Sequence, residues 1–164
     1  MTNPKILMII PKYDLTQKKF YHYLFPTGFA YIIAALKHHG YSVECLNLNH
    51  TEGKIKDATM KGLQQKEWDY ILAGGIALDY HCLKAIFDTI ECYKESKKMY
   101  KDNMPVTILG GMIITTEPEL IYNDLKPDYG VMGEGEETIV DLIDTLEKKG
   151  DVSKVAGIVY REKT

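Results

Sequence analysis

The chain has 164 residues, 45% of them apolar and 26% charged, a composition that supports one domain with a packed core and excludes general disorder. Its net charge of −3 excludes the broad basic footprint of a nucleic-acid binder. Arg161 is the single arginine among 20 basic residues, which nearly removes bidentate recognition of phosphate or carboxylate, and no apolar run reaches the roughly 20 residues of a membrane span.

Strands and helices alternate along the chain. Lys5 to Ile10 is an unbroken apolar run after its lysine, the pattern of a strand buried on both faces. A helix is predicted over residues 27–39, with Thr27 as N-cap, apolar positions at Phe29, Ile32, Ile33 and Leu36, and Gly40 as its stop. Residues 43–48 read as the second strand, and a weaker amphipathic helix covers roughly 53–66. The third strand, 69–75, ends on Gly74 and Gly75. A long helix over about 79–98 follows and turns highly charged from Lys94 to Lys98, a solvated helix end. The fourth strand, 105–111, closes on a second glycine pair, Gly110 and Gly111. A short helix near 117–123 leads to a fifth strand at 128–132. The last helix, about 135–149, stops at Gly150, and residues 155–160 supply a short edge strand. Six strands interleaved with five helices predict a parallel, doubly wound α/β sheet in one domain, residues 1–160.

Ligands of such a sheet bind beyond the carboxyl ends of its strands, here at 11–28, 74–81, 110–119 and 133–138. The first of these loops has neither GxGxxG nor a Walker A sequence. Asp14 and Asp79 do not make the acidic arrangement of a response-regulator receiver, and the hydroxyl- and glycine-rich loop of a flavodoxin is missing. No Gly-x-Ser-x-Gly elbow exists, and Cys82 falls at a helix start. Cys45, Cys82 and Cys92 form no CxxC or CxxxCxxC, so no metal cluster is expected on this chain and the thiols read as those of a reducing cytosol. The N-terminal apolar stretch runs into Pro11, Lys12 and Asp14 without a small-residue cleavage site, and the expected location is cytoplasmic.

Glycines supply the positive signal. Gly74 and Gly75, followed by Ile76 and Ala77, and the pair Gly110 and Gly111 place bare backbone at two neighbouring strand ends. Such backbone serves either a flat ligand's close approach or a tight strand-to-helix turn. Gly133 and Gly135 open a helix whose start carries Glu134, Glu136 and Glu137, which oppose the helix dipole and repel a free phosphate.

Four segments then occur in a fixed order: FPTGFAYIIAAL from Phe25 to Leu36, GYSV from Gly40 to Val43, Gly110-Gly111 with Glu117-Pro118-Glu119, and DYGVMGEGEET from Asp128 to Thr138. Over roughly residues 5–160 this set resembles the N-terminal cobalamin-binding domain of cobalamin-dependent radical S-adenosylmethionine enzymes. The resemblance implies a flavodoxin-like sheet of order 2-1-3-4-5, with an extra C-terminal edge strand, and cobalamin across its carboxyl edge. The nucleotide tail would enter a slot between sheet and helix beside Gly74, Gly75, Ala77, Gly110 and Gly111, and Asp79 is a further cofactor-binding candidate. Pro11, Leu78, Gly133 and Glu134 would face the corrin ring or its amides, whose donors and acceptors need no arginine clamp, and Gly135, Glu136 and Thr138 complete the glycine–glutamate box. The chemistry would belong to the cofactor, and no catalytic residue is assigned.

Two departures from related patterns bear on that expectation. Cobalamin-dependent mutases carry Asp-x-His-x-x-Gly after the first strand. Here Asp79-Tyr80-His81 matches its first three positions, but after the third strand and without the glycine. No metal ligand is therefore assigned, His81 being the one histidine that the match nominates as a cobalt ligand. The family's catalytic half, with its CxxxCxxC, would begin after Thr164, so the iron–sulfur cluster and S-adenosylmethionine are expected only in a C-terminal radical domain, with 161–164 starting the linker. The implied whole enzyme is a methyltransferase or a radical-rearrangement enzyme. One rival is a degenerate domain of the same fold that has become a structural or interaction module. The other is a small-molecule enzyme using Asp14 with His81 as an acid–base pair.

Overall fold

The structure is a computed structural model that describes residues 3–13, 25–98 and 104–161. Strand β1 (Lys5–Ile10) is buried along its whole length after the lysine. It is followed by α1 (Thr27–His38), β2 (Ser42–Asn47), α2 (Ile55–Gln64), β3 (Tyr70–Gly74) and α3 (Tyr80–Lys97). Then come β4 (Val106–Gly110), α4 (Met112–Thr116), α5 (Pro118–Leu125), β5 (Tyr129–Val131), α6 (Gly135–Glu147) and β6 (Ile158–Tyr160). The sheet order is β2-β1-β3-β4-β5-β6. The first five strands are parallel, and β6 pairs antiparallel with β5 through Tyr129 and Tyr160. The order reverses between β1 and β3, the place where an open α/β sheet receives its ligand.

Side-chain alternation builds a core on each face of the sheet. Leu7 and Ile9 of β1 join Ile71, Ala73 and Leu109 under α2, α3 and α5. Ile6, Met8 and Ile10 point the other way, with Leu72, Ile108 and Val131, and meet Leu36 of α1 and Ile139, Leu142 and Ile143 of α6. Helix α1 ends as expected: Gly40 takes a φ of 87°, and the N–H groups of Gly40 and Tyr41 return to the carbonyls of Lys37 and Leu36.

Four local details differ from the sequence reading. Thr27 is already helical, and the N-cap position belongs to Pro26, whose carbonyl accepts from the N–H of Phe29. Strand β2 stops at Asn47, because its side chain accepts from Asn49 N–H and winds Leu48–His50 into a single 3₁₀ turn. The short helix expected near 117–123 is α5, and a further helix, α4, precedes it; α4 escapes the sequence because consecutive β-branched residues fill it, while the Thr115 and Thr116 hydroxyls donate back to the carbonyls of Gly111 and Met112. Helix α6 turns off at Lys149, with φ 52°, rather than at Gly150, whose N–H instead closes the last turn on Thr145.

Candidate functional site

A cavity of about 460 Å³ opens at the carboxyl edge of the sheet on its α1/α6 face. Its floor is one register row, Met8 beside Leu72 beside Ile108. Two residues further along β3 and β4 on the same face come Gly74 and Gly110, which are paired with each other and project nothing into the space above that row. Phe29 and Ile32 of α1, Val131 of β5 and Ile139 of α6 form the walls. Around the mouth lie Ile76 and Met112, 47% and 57% exposed, with Gly133 and Glu134. This is a socket with an apolar floor and a rim that mixes apolar side chains with Glu134.

The four strand-end glycines separate by cause. A Cβ on Gly74 would stand 2.7 Å from the carbonyl oxygen of Gly110, one on Gly75 would stand 2.5 Å from Asp79 Oδ2, and one on Gly111 would stand 2.6 Å from the carbonyl oxygen of Gly75. These three are required by the fold, where the two loops cross: Gly75 N–H donates to Gly110, and Ile113 N–H donates to Gly75. Gly111 also takes a φ of 91°. Gly110 is different. Its Cβ would meet no described atom within 4 Å and its φ is not left-handed, so the described fold leaves room for a Cβ there, on the side of the cavity.

The loops around the mouth are tied together by short-range hydrogen bonds. Thr115 Oγ1 donates to the carbonyl of Gly111 at 3.0 Å and accepts from Gly133 N–H at 3.0 Å, joining the loop after β4 to the loop after β5. Buried Asp79 accepts from Ile76 N–H at 2.9 Å and closes the turn Ala77–Asp79 ahead of α3. Among the described residues, the charged members of the lining are Asp79, Glu134 and Glu136, with no lysine, arginine or histidine. Glu134 and Glu136 flank the start of α6, where carboxylates suit the dipole. A dianionic phosphate has no cationic partner among the described residues of this lining.

Of the candidate residues, Gly74, Gly75, Asp79, Gly110, Gly111, Gly133, Glu134, Gly135 and Glu136 line one cavity. Pro11, Ala77, Leu78 and Thr138 stand outside the lining. Pro11 is buried with its carbonyl accepting from Asn49 Nδ2, Ala77 and Leu78 are exposed on the turn before α3, and Thr138 lies beside Gly157. His81 is exposed on the first turn of α3, edge-on to the Tyr80 ring, and does not line the cavity. Asp14 lies outside the described residues. Burial pushes the Cys82 thiol up, against the opposing pull of a hydrogen bond from Lys12 N–H, so it is held as an un-ionised thiol rather than a nucleophile. Among the described residues, no three His, Cys, Asp or Glu side chains converge as metal ligands, and no helix is long and apolar enough to cross a membrane.

The sequence reading passed over the floor and walls. Leu72 and Ile108 were available to it by period-2 counting back from Gly74 and Gly110. Phe29, Ile32 and Ile139 were legible only as core positions, because nothing local says that the core stops short above them.

Comparison with known proteins gives a family and a fold. A family model described as "B12 binding domain" matches residues 15–143. An uncharacterized methyltransferase, PH0819, of Pyrococcus horikoshii is 27% identical over 162 residues, 96% of this chain and 33% of its own length. The cobalamin-dependent S-adenosylmethionine radical enzyme OxsB, with aqua-cobalamin and S-adenosylmethionine bound, superposes with a TM-score of 0.77 at 20% identity, over 98% of this chain and 21% of its own. The radical S-adenosylmethionine methyltransferase TsrM from Kitasatospora setae, with cobalamin and a [4Fe-4S] cluster bound, gives 0.72 at 17% identity, over 99% of this chain and 30% of its own. The chain therefore spans a third or less of the proteins it matches.

Proposed function

The chain belongs to the B12-binding domain family, and from that premise we propose that it holds cobalamin at the carboxyl edge of its sheet and presents it to a radical S-adenosylmethionine domain. Gly110 and the cavity beside it would hold the tail of the cofactor, and Ile76, Met112, Gly133 and Glu134 at the rim would face the corrin. The fit rests on this chain's own features: a socket of about 460 Å³, an apolar lining, and a glycine that the fold does not need. That last observation carries the reading. A domain that had lost its ligand is free to fill the space above Leu72 and Ile108; here no described residue fills it.

Bound cobalamin supplies the cobalt chemistry of methyl transfer. The protein's residues do the rest. Met8, Leu72, Ile108 and Ile139 exclude water from the tail, and Thr115 holds the two mouth loops at a set spacing. Ile76 and Met112 offer apolar area to the ring. No residue of the lining is assigned as a cobalt ligand. The iron–sulfur cluster and S-adenosylmethionine belong to the radical domain, and the activity proposed for the whole enzyme is methyl transfer. The proposed location is the cytoplasm, supported by three free cysteines.

The test is direct. The purified chain is mixed with hydroxocobalamin, desalted, and the visible spectrum of the protein fraction recorded. Corrinoid absorbance near one equivalent is expected for the native chain, and its loss is expected for Gly110→Leu. A colourless native fraction at saturating cofactor overturns the reading.

A further inference from the structure

The chemistry of the cavity goes further than the presence of cofactor. Resting on the reading above, we propose that this site selects among corrinoids by the base of their nucleotide tail, taking benzimidazole or phenol bases and discriminating against adenine. The deep end is built from Met8, Leu72, Ile108, Val131 and Ile139, all 4% exposed or less. Behind the first three, the backbone N–H and C=O groups are already engaged in the parallel ladders of β1, β3 and β4. Side chains at that depth therefore offer no hydrogen bond, and the neighbouring main chain has little left to offer.

The charged groups of the lining do not compensate. Asp79 accepts from Ile76 N–H through Oδ2, Glu134 is exposed at the mouth, Glu136 is half-buried at the start of α6, and Tyr13, the neutral polar side chain of the described lining, is not among the deep-end residues. Carboxylates accept hydrogen bonds, so they can meet an exocyclic amine but leave the lone pairs of ring nitrogens opposed rather than paired. A benzimidazole base brings one free ring nitrogen and two methyl groups into such a socket; a phenol base brings no ring nitrogen at all. Adenine brings several ring nitrogens, whose lone pairs lose water without a matched donor among the described side chains of the deep end. The discrimination thus comes from the cost of unpaired polar atoms rather than from size. A site of this kind rejects the more polar ligand even when it fits.

Equilibrium titrations of the chain with three corrinoids test this: cobalamin, its adenine-based analogue and its p-cresol-based analogue, with tailless cobinamide as control. The adenine-based form is expected to bind at least about tenfold more weakly than cobalamin, and the p-cresol form within about threefold of it. Val131→Thr, which places a hydroxyl in the wall at nearly constant volume, is expected to narrow the adenine penalty. Ile32→Thr, half-buried on α1, makes the same measurement if Val131→Thr does not fold. Equal affinity for the adenine and benzimidazole forms overturns base selection while leaving corrinoid binding standing. An adenine penalty that neither folded variant moves overturns its assignment to this cavity. Cobinamide binding as tightly as cobalamin overturns the tail slot itself, and no binding by any of the four overturns the proposed function on which the inference rests.

Discussion

The two glycine pairs at neighbouring strand ends look alike in the sequence, and their substitutions are expected to fail in different ways. Gly111→Ala forces a Cβ to 2.6 Å from a carbonyl oxygen at a φ of 91°. It should cost about 1–3 kcal/mol in denaturant unfolding, whatever happens to the ligand. Gly110→Ala meets nothing within 4 Å. It should leave the unfolding free energy within about 1 kcal/mol of the native value, while Gly110→Leu removes corrinoid retention from a folded protein. Thr115 gives a second contrast at this scale. Thr115→Val keeps shape and volume but deletes the hydrogen bond from Gly133 that ties the mouth loops and the bond back to Gly111. It should weaken cobalamin binding by about tenfold, equivalent to about 1.4 kcal/mol, with Thr115→Ser restoring most of it. A Thr115→Val protein that binds as well as the native chain would show that the mouth needs no tie.

At the level of elements, the sheet is pinned at the end opposite the cavity by Asp128. Its Oδ2 accepts from Thr107 N–H, Thr107 Oγ1 and Lys94 Nζ, each at 2.8 Å, joining the starts of β4 and β5 to α3. Burial raises the carboxyl's pKa, but the Lys94 ammonium and the Thr107 donors outweigh it and hold it below the ordinary aspartate value. A depressed folded pKa means that the unfolded chain takes up the proton first. The stabilisation is therefore complete above the unfolded value of about 4 and is lost as the pH falls through the folded one. Asp128→Asn should cost about 1 kcal/mol at pH 7, a modest figure because the side chain is 36% exposed and partly screened. The gap between native and variant in urea unfolding should narrow when the measurement is repeated near pH 3. Helix α1 is anchored differently, through Leu36, its one fully buried side chain. Leu36→Ala should cost about 2–5 kcal/mol and weaken cobalamin binding as well, because the same helix carries Phe29 and Ile32 into the cavity wall.

Over the whole molecule, the cavity is the place where the core on the α1/α6 face stops short of the carboxyl edge. Packing that ends early leaves apolar surface uncovered, and a ligand that covers it stabilises the fold by mass action. Cobalamin at a hundred times its dissociation constant should add about 2.7 kcal/mol to the unfolding free energy. At roughly 2–4 °C per kcal/mol for a chain of this size, the thermal midpoint should rise by about 5–10 °C. An unchanged midpoint at that concentration would mean that cobalamin does not prefer the folded chain.

Much of this was legible along the chain. The double-faced apolar run of β1, the Gly40 stop of α1, the glycine-terminated β3 and β4 and the glycine–glutamate opening of α6 all follow from nearest-neighbour chemistry, and their order makes a doubly wound sheet. Strand direction at the edge did not follow: residues 158–160 read as a strand, but only pairing with β5 makes it antiparallel. The distinction between Gly110 and the glycines beside it was also invisible, because it depends on which backbone from the next loop lies within 3 Å. Likewise Met8, Leu72 and Ile108 have the sequence signature of core. Only the tertiary structure, by setting α1 and α6 around two glycines without side chains to fill the gap, turns that row of core residues into the floor of a socket.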